Sequence, residues 1–285
     1  MKKTLFVIAC MLNTLWASAQ FSGSGDGTES SPYLIYNENQ LAQLANFLNQ
    51  EGVVFKLQKD LDISGYIAEN NPSQGWAPIG VESSPFKGVF YGNGHTISGL
   101  MINRPNYDNI GLFGYVYGAQ INNLTIKASN VTGHHYVSVL CGTSYGDCSF
   151  TNCDVEITGK LSGLCDIGGI VGYMREGSTI SDCDVTGNME SKAGSIFEYG
   201  TIGGIGGTVE SCYITDCTYN GSIVAKVRLA GGLIGSIHGC SLNNCTVKAN
   251  IKGENTIGGI SGVAESFNNI FINCHHKGTN NNDGD

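Results

Sequence analysis

Apolar and polar residues alternate along this chain in short runs broken by glycine, and the alternation returns at a nearly fixed interval. The clearest copy is IGGIVGYMREGSTISDCDVTG, from Ile167 to Gly187. Variants of it start at Leu140 (LCGTSYGDCSFTNCDVEITG), Ile202 (IGGIGGTVESCYITDCTYNG), Ala230 (AGGLIGSIHGCSLNNCTVKA) and Ile257 (IGGISGVAESFNNIFINCHHKG). One polar position serves as a ruler: Asn152, Asp182, Asp216, Asn244 and Asn273 are 30, 34, 28 and 29 residues apart. Two places before it stands Phe150, Ile180, Ile214, Leu242 or Phe271, and cysteine follows at once, as Cys153, Cys183, Cys217, Cys245 and Cys274. Run backwards, the ruler fits INNLTI with Asn123 and ISGLMI with Gly99 at the marker, with Leu124 and Leu100 in place of cysteine, for seven copies.

A period of this length marks stacked repeats, each too small to bury its own apolar face. The units are too glycine-rich for paired helices, and Ile-x-Asn-Cys-x-Val reads as two extended segments meeting at a polar corner. The pattern predicts an all-β chain folded as a right-handed parallel β-helix. Asn or Asp would hydrogen-bond its equivalents from coil to coil, while Ile, Cys or Leu, and Val point inward. Gly-Gly pairs beginning at 168, 203, 231 and 258 are expected at tight corners with positive φ. No Gly-Lys-Ser/Thr follows them, so they are not a nucleotide cradle.

The GGIVG, Ile-x-x-Cys and trailing Gly spacing resembles the GLUG repeat of bacterial surface proteins. FKGVFYGNGHTISGLMIN with GLFGYVYGAQINNLTI (Phe86 to Ile126) resembles the segment that often precedes such repeats. The likeness covers roughly residues 50 to 278. It implies an adhesin-like surface protein or the non-catalytic region of an IgA-specific metallopeptidase, and it brings no catalytic residue with it.

Before the repeats, Lys2 and Lys3, an apolar run to Leu15 and Ala17-Ser18-Ala19 predict a signal peptide over 1–19, cleaved near Ala19/Gln20. The alternative, a lipid on Cys10 within Val7-Ile8-Ala9-Cys10, would leave too short an apolar run. Secretion, or display on the outer surface of a Gram-negative-type bacterium, is the expectation. Residues 20–53 read as a strand and helix cap. Phe21 to Ser31 is expected to be loose; Asn37 with Gln40 forms a capping-box-like pair, and Leu41, Leu44, Ala45 and Leu48 give one apolar face that would close the first coil. Trp76 is expected to pack under this cap, while Asp60 and Asp62 read as a solvated strand end. The β-helix then occupies 54–278 and a polar tail 279–285, with the last coil lacking a visible cap and open to end-to-end self-association.

Charge narrows the partners. Loss of Lys2 and Lys3 moves the formal charge from −9 to −11, which argues against nucleic acid and anionic lipid, and no other stretch is apolar enough to cross a membrane. An extracellular glycan or a host or bacterial surface protein remains. The chain carries 11 cysteines. Export permits disulfides, and C-x4-C recurs three times, but stacked strands hold equivalent side chains about 4.8 Å apart with parallel Cβ vectors. The ladder is therefore expected to be buried free thiols, with Cys212 and Cys240 the exception open to bridging; zinc lacks its usual spacings.

Three sets of residues carry candidate chemistry. Stacking by the marker sets Asp182 over Asp216 and Asp154 over Asp184. Carboxylates one coil apart approach a glycosidase pair, and with Glu156 beside them Asp154, Asp182 and Asp184 are also a candidate calcium cluster. A solvated corner is the plain alternative. No arginine or lysine stands at the matching positions, and the mature chain's arginines are Arg104, Arg175 and Arg228. Tyr115 and Tyr173 follow the Gly-x-x-Gly of their coils, and Tyr117 and Tyr145 share a place two residues on. Together they predict a strip of rings for sugar stacking or protein contact. The insertion 188–201, with Phe197 and Tyr199, is expected to leave the solenoid toward the binding face. His134-His135 and His275-His276 read as loop residues; with no His-Glu-x-x-His and no nucleophile elbow, neither peptidase class is indicated. No cofactor is expected beyond the calcium alternative. The two readings are a non-catalytic adhesin-like scaffold and a carbohydrate-active β-helix enzyme.

Overall fold

The computed structural model describes residues 20–192, 200–266 and 268–282. The expected signal peptide, and Phe197 and Tyr199 of the insertion, lie outside the described residues. The chain is a parallel β-solenoid of about six turns. One turn illustrates the rest: Val171–Arg175, Thr179–Ser181, Asp184–Ser191, then Thr201–Gly203, before Gly206–Glu210 begins the next. Each strand pairs in parallel with its equivalent one turn on, building a long sheet of 15 strands, one of six and one of five.

The register of the long sheet stacks Phe55, Phe90, Ile121, Phe150, Ile180, Ile214, Leu242 and Phe271 in one column. All but Phe271 are fully buried. A second column, further along each coil, runs Ile126, Val155, Val185, Tyr219, Val247, His276. Tyr219 replaces valine there and remains buried, because its hydroxyl donates to the carbonyls of Gly187 (3.0 Å) and Ser222 (2.9 Å).

At every marker from Asn123 on, the backbone is left-handed: φ is 54° at Asn123, 51° at Asn152, 54° at Asp182 and Asp216, 59° at Asn244 and 51° at Asn273. Asn and Asp tolerate this region best among residues with a Cβ. Among the described residues the expected ladder of side-chain hydrogen bonds is formed at only two steps, Asn152 to Asn123 (2.8 Å) and Asn244 to Asp216. The markers from Asn152 through Asp182 to Asp216 are not joined, and the adjacent carboxylates of Asp182 and Asp216 offer no donor to each other. Gly99 is not the next marker. His95 pairs with Leu124 and Ile97 with Ile126, so the corner is Asn93 (φ 57°) with Gly94, and a ruler that counts from ISGLMI misses it.

The Gly-Gly pairs are needed for a different reason than expected. None of their glycines has positive φ. A Cβ at Gly168 would lie 2.5 Å from the Gly206 Cα, and one at Gly231 would lie 2.6 Å from the Gly262 amide nitrogen. Neighbouring coils approach too closely for a side chain.

Among the described residues ten cysteines form no disulfide, nine of them buried and Cys274 partly so. The ladder has a uniform contact: Cys183, Cys217 and Cys245 donate to the carbonyl two residues before them, at 3.1, 3.1 and 3.3 Å. The carbonyls of Thr215 and Asn243 already accept from the marker amides of Asp182 (3.2 Å) and Asp216 (3.0 Å) on the preceding coil, so the thiol is a second, weak donor to a paired carbonyl while remaining small and apolar. Cys212 and Cys240 are not bridged. Each thiol is turned to backbone, Cys212 to the Glu210 carbonyl (3.0 Å) and Cys240 to that of Val209 (3.2 Å).

At the N-terminal end the Asn37 side chain accepts from the Gln40 amide (2.9 Å), and the Gln40 side chain accepts from the Tyr36 amide (2.7 Å). The α-helix spans only Glu38–Ala42 and tightens into a 3-10 turn over Gln43–Asn46. Its buried face is therefore Leu41, Leu44 and Phe47, at intervals of three, with Ala45 exposed and Leu48 half-buried. Phe21 is not loose: it is buried against Tyr33, Phe47 and Phe55, with ring centroids 4.8 to 6.1 Å away. Trp76 is buried as expected, its indole N–H donating to the Leu112 carbonyl at 3.1 Å. Asp60 and Asp62 accept from the amides of Thr96 (2.9 Å) and Ser64 (3.0 Å).

Candidate functional site

The six-stranded sheet presents two outward columns. One runs Tyr115, Thr143, Tyr173, Thr208, Ser236, because these residues pair in register. The other begins with Tyr117 and Tyr145, whose rings stack at 6.3 Å, and continues through Arg175, Glu210 and His238. Tyrosine therefore alternates with threonine along the first column, and the gap above Thr143 is open.

A third row closes that gap. A left-handed corner lies within the short strands of the five-stranded sheet: Tyr136 in His135–Val137 and Asp166 in Cys165–Ile167 occupy equivalent places, with Asn109 their equivalent one coil earlier, at φ of 54°, 51° and 57°. Asn and Asp are at ease there. Tyrosine is not: a bulky side chain in this region costs roughly 1–2 kcal/mol. What the coil gains is placement, since the half-buried Tyr136 ring leans over the sheet 5.6 Å from that of Tyr173.

The result is an open cleft of about 290 Å3 lined by Glu82, Asn109, Tyr115, Tyr136, Thr143, Tyr145, Tyr173 and Arg175. Its polar groups are held in place. The Arg175 guanidinium lies 4.6 Å from the centre of the Tyr145 ring and donates to the Tyr173 hydroxyl at 3.4 Å, while Tyr173 donates to Glu210 at 3.0 Å. Thr143 donates to Asn109 at 2.5 Å. Next in the row after Tyr136, Asp166 accepts from Thr201 (3.0 Å) and Thr208 (2.5 Å), and its burial raises its pKa. Burial also raises the phenol pKa of Tyr115 and Tyr136 and pushes that of Tyr173 up to about 12. The phenols are thus O–H donors at neutral pH, and the cleft offers flat ring faces with donors and acceptors at its rim. That is the chemistry of a hydroxyl-rich, sparsely charged ligand.

Of the tyrosines expected from sequence, Tyr115, Tyr145 and Tyr173 meet in this cleft. Tyr117 is exposed beside it, under the Lys87 ammonium at 5.2 Å, and lines a separate shallow hollow with Asp147. Tyr136, Arg175, Asn109 and Glu82 were not anticipated. The signal for Tyr136 is present all the same: His-Tyr-Val stands where neighbouring coils carry Asp-Asn-Ile and Cys-Asp-Ile.

The acidic residues are arranged differently. The Asp184 amide donates to Asp154 at 3.1 Å, so the predicted stacking exists. But Asp182, Asp184 and Asp216 are exposed, and Glu156 pairs with Lys127 at 2.8 Å. Burial raises the Asp154 pKa, whereas the Asn244 amide beside Asp216 lowers that of Asp216. Among the described residues Asp154, Glu156, Asp182 and Asp184 do not bring three ligand atoms within 4.8 Å of one another, so the expected calcium cluster is not assembled. Alternating strand residues keep these side chains one coil apart on an outward face instead of converging.

No family model matches the chain. It is 35% identical over 159 residues to a "Putative Gly-rich membrane protein" of Evansella cellulosilytica, covering 54% of this chain and 18% of that one. It is 32% identical over 170 residues to "Halomucin" of Haloquadratum walsbyi, covering 58% of this chain and 2% of that one. The chain thus spans less than a fifth of the length of these curated relatives. Among solved structures, the crystal structure of "a putative immunoglobulin A1 protease from Bacteroides ovatus" superposes with a TM-score of 0.68 over 88% of this chain and 76% of that one. At 23% identity the likeness is one of fold. No helix among the described residues is long and apolar enough to cross a membrane.

Proposed function

We propose that this chain is an exported, non-catalytic β-solenoid of the cell surface that binds a glycan in the tyrosine cleft. The observation that carries the reading is Tyr136, held in a left-handed conformation where the coils on either side use Asn109 and Asp166. Backbone strain that packing does not require is a mark of a functional position. The surface setting is supported by the sequence likeness to a membrane protein and a halomucin, and by the GLUG-like repeat. The solenoid supplies a rigid face, and Tyr115, Tyr145 and Tyr173 supply the stacking surfaces.

The test is a glycan and polysaccharide screen of the chain from Gln20, scoring retention and product release together, with calcium and with chelator. Retention without turnover, weakened at least tenfold by Tyr136→Asn or Tyr145→Ala, is the expected result. Retention indifferent to both substitutions would sink the cleft as the site. Product release abolished by Asp182→Asn would replace this reading with a carbohydrate-active enzyme.

A further inference from the structure

Beside the cleft, on the outer side of the same corner, three metal-ligating side chains meet. Asp108, His134 and His135 each bring one ligand atom within 4.8 Å of the other two. They form the one such group among the described residues. His134 Nδ1 lies 2.9 Å from an Asp108 carboxylate oxygen, and the His135 amide donates to the same oxygen at 3.0 Å. The two imidazoles stack with centroids 4.0 Å apart. His135 Nε2 is buried and has no hydrogen-bond partner.

An orphaned buried imidazole nitrogen is costly and rare in folded proteins. Adjacent histidines crowded against a carboxylate also gain little by way of packing. Both features are accounted for if the group is a cation site. We propose that Asp108, His134 and His135 bind a divalent transition-metal ion, zinc in the first instance. Two imidazoles and one carboxylate are a nitrogen-rich donor set that suits zinc and disfavours calcium and magnesium, which take oxygen. Ligands at about 2.1 Å from a tetrahedral zinc lie roughly 3.4 Å apart, so the Asp108–His134 pair is nearly in place and the His135 ring has only to turn out of the stack. Water would complete the shell from the exposed side.

Position gives the site a structural role. Asp108 immediately precedes Asn109, and His135 immediately precedes Tyr136. An ion would therefore tie together the two backbone segments that shape one wall of the cleft, and would stabilise the folded chain by binding it in preference to the unfolded one.

The experiment is a calorimetric titration of the tag-free chain from Gln20, stripped with chelator, using zinc chloride. One equivalent bound with a Kd on the order of 1 μM or tighter, and a raised melting temperature, are expected. Asp108→Asn, His134→Ala and His135→Ala should each weaken binding at least tenfold while keeping the parent far-UV spectrum. His95→Ala and the double variant His275→Ala/His276→Ala should bind as the parent does. Cobalt(II) should give a weak visible spectrum of nitrogen and oxygen ligation. The proposal is overturned by the absence of saturable zinc binding, by binding that persists in both Asp108→Asn and His135→Ala, by loss of binding on removal of His275 and His276, or by an intense near-ultraviolet cobalt band reporting thiolate ligands.

Discussion

A single backbone angle explains the most regular residue in the chain and the most irregular one. Asn or Asp recurs at the corner because the chain must pass through the left-handed region there, and the cysteine after it is a small buried side chain whose thiol donates to the carbonyl two residues back. Tyr136 meets the same backbone demand with the wrong side chain. Replacing it by Asn should leave stability in urea within about 1 kcal/mol of the parent, relief of strain offsetting the lost contact with Tyr173. Stability lowered by about 3 kcal/mol or more would instead make Tyr136 a packing residue. The thiols allow a second check. Nine are buried and Cys274 is partly exposed, so Ellman's reagent should modify about one thiol per native chain and all ten after denaturation. Rapid native modification of several would mean that the ladder is not closed. The markers could be read from sequence because Asn and Asp stand out by type. Tyr136 breaks an Asn/Asp position that only the coil register identifies, and its strain shows only in φ.

At the level of strands and corners, glycine pairs mark where coils nearly touch, and the second glycine of each lies against the column of Val185, Tyr219, Val247 and His276. Gly204 lies under Tyr219, where an added Cβ would come within 2.2 Å of the ring and 2.5 Å of the Gly232 carbonyl oxygen. Gly204→Ala should cost about 1–3 kcal/mol. Tyr219→Ala, which removes the ring atoms met by the added Cβ, should recover part of that loss in a double-mutant cycle, the carbonyl clash remaining; valine would not relieve it, since Val185 would lie 2.5 Å from a Cβ at the equivalent Gly169. Strict additivity of the two would contradict the packing described. The N-terminal lid could be read only in part. Asn37 and Gln40 announce a helix start, and they cap it. The rest of the lid is shaped by the surface it covers: Phe47 joins the aromatic cluster of Phe21, Tyr33 and Phe55, and the backbone tightens to bring it there.

For the molecule as a whole, a stack of coils has no single core and its stability is graded. Ile270, Phe271 and Ile272 of the last described coil are 52%, 43% and 49% exposed, whereas Ile214, the equivalent of Phe271 two coils back, is fully buried. Amide exchange should therefore be fastest over 256–282 and slowest in the strands around Ile121 and Phe150; uniform protection would refute a graded stack. The thiols also give the molecule an alkaline limit. Burial raises the pKa of Cys141, Cys148 and Cys240 and pushes that of Cys212 up to about 12. For a group raised on folding, the stabilisation is complete below the unfolded value and is lost as pH rises toward the folded one. Each such thiol removes about 1.4 kcal/mol per pH unit once the unfolded chain ionises, so the urea midpoint should hold to about pH 8.5 and fall from there toward about pH 12, the folded value of Cys212. Substituting Cys141 and Cys212 by Ala should make that fall shallower, and an unchanged slope would remove thiol ionisation as its cause.

Residue order alone is enough for the solenoid, the inward columns, the free-thiol ladder and three of the cleft tyrosines. Each rests on a local rule that repeats: alternation sets which face a residue takes, and the marker sets where the chain turns. Packing in three dimensions supplies what one repeat cannot encode. Asp154, Asp182, Asp184 and Asp216 are stacked as their spacing requires, yet they lie on an outward face with no convergence, because equivalent strand residues point in parallel. Tyr136 and Arg175, and Asp108 with His134 and His135, come from successive coils. They meet only because successive turns lie one strand spacing apart, a distance that residue order along the chain does not express.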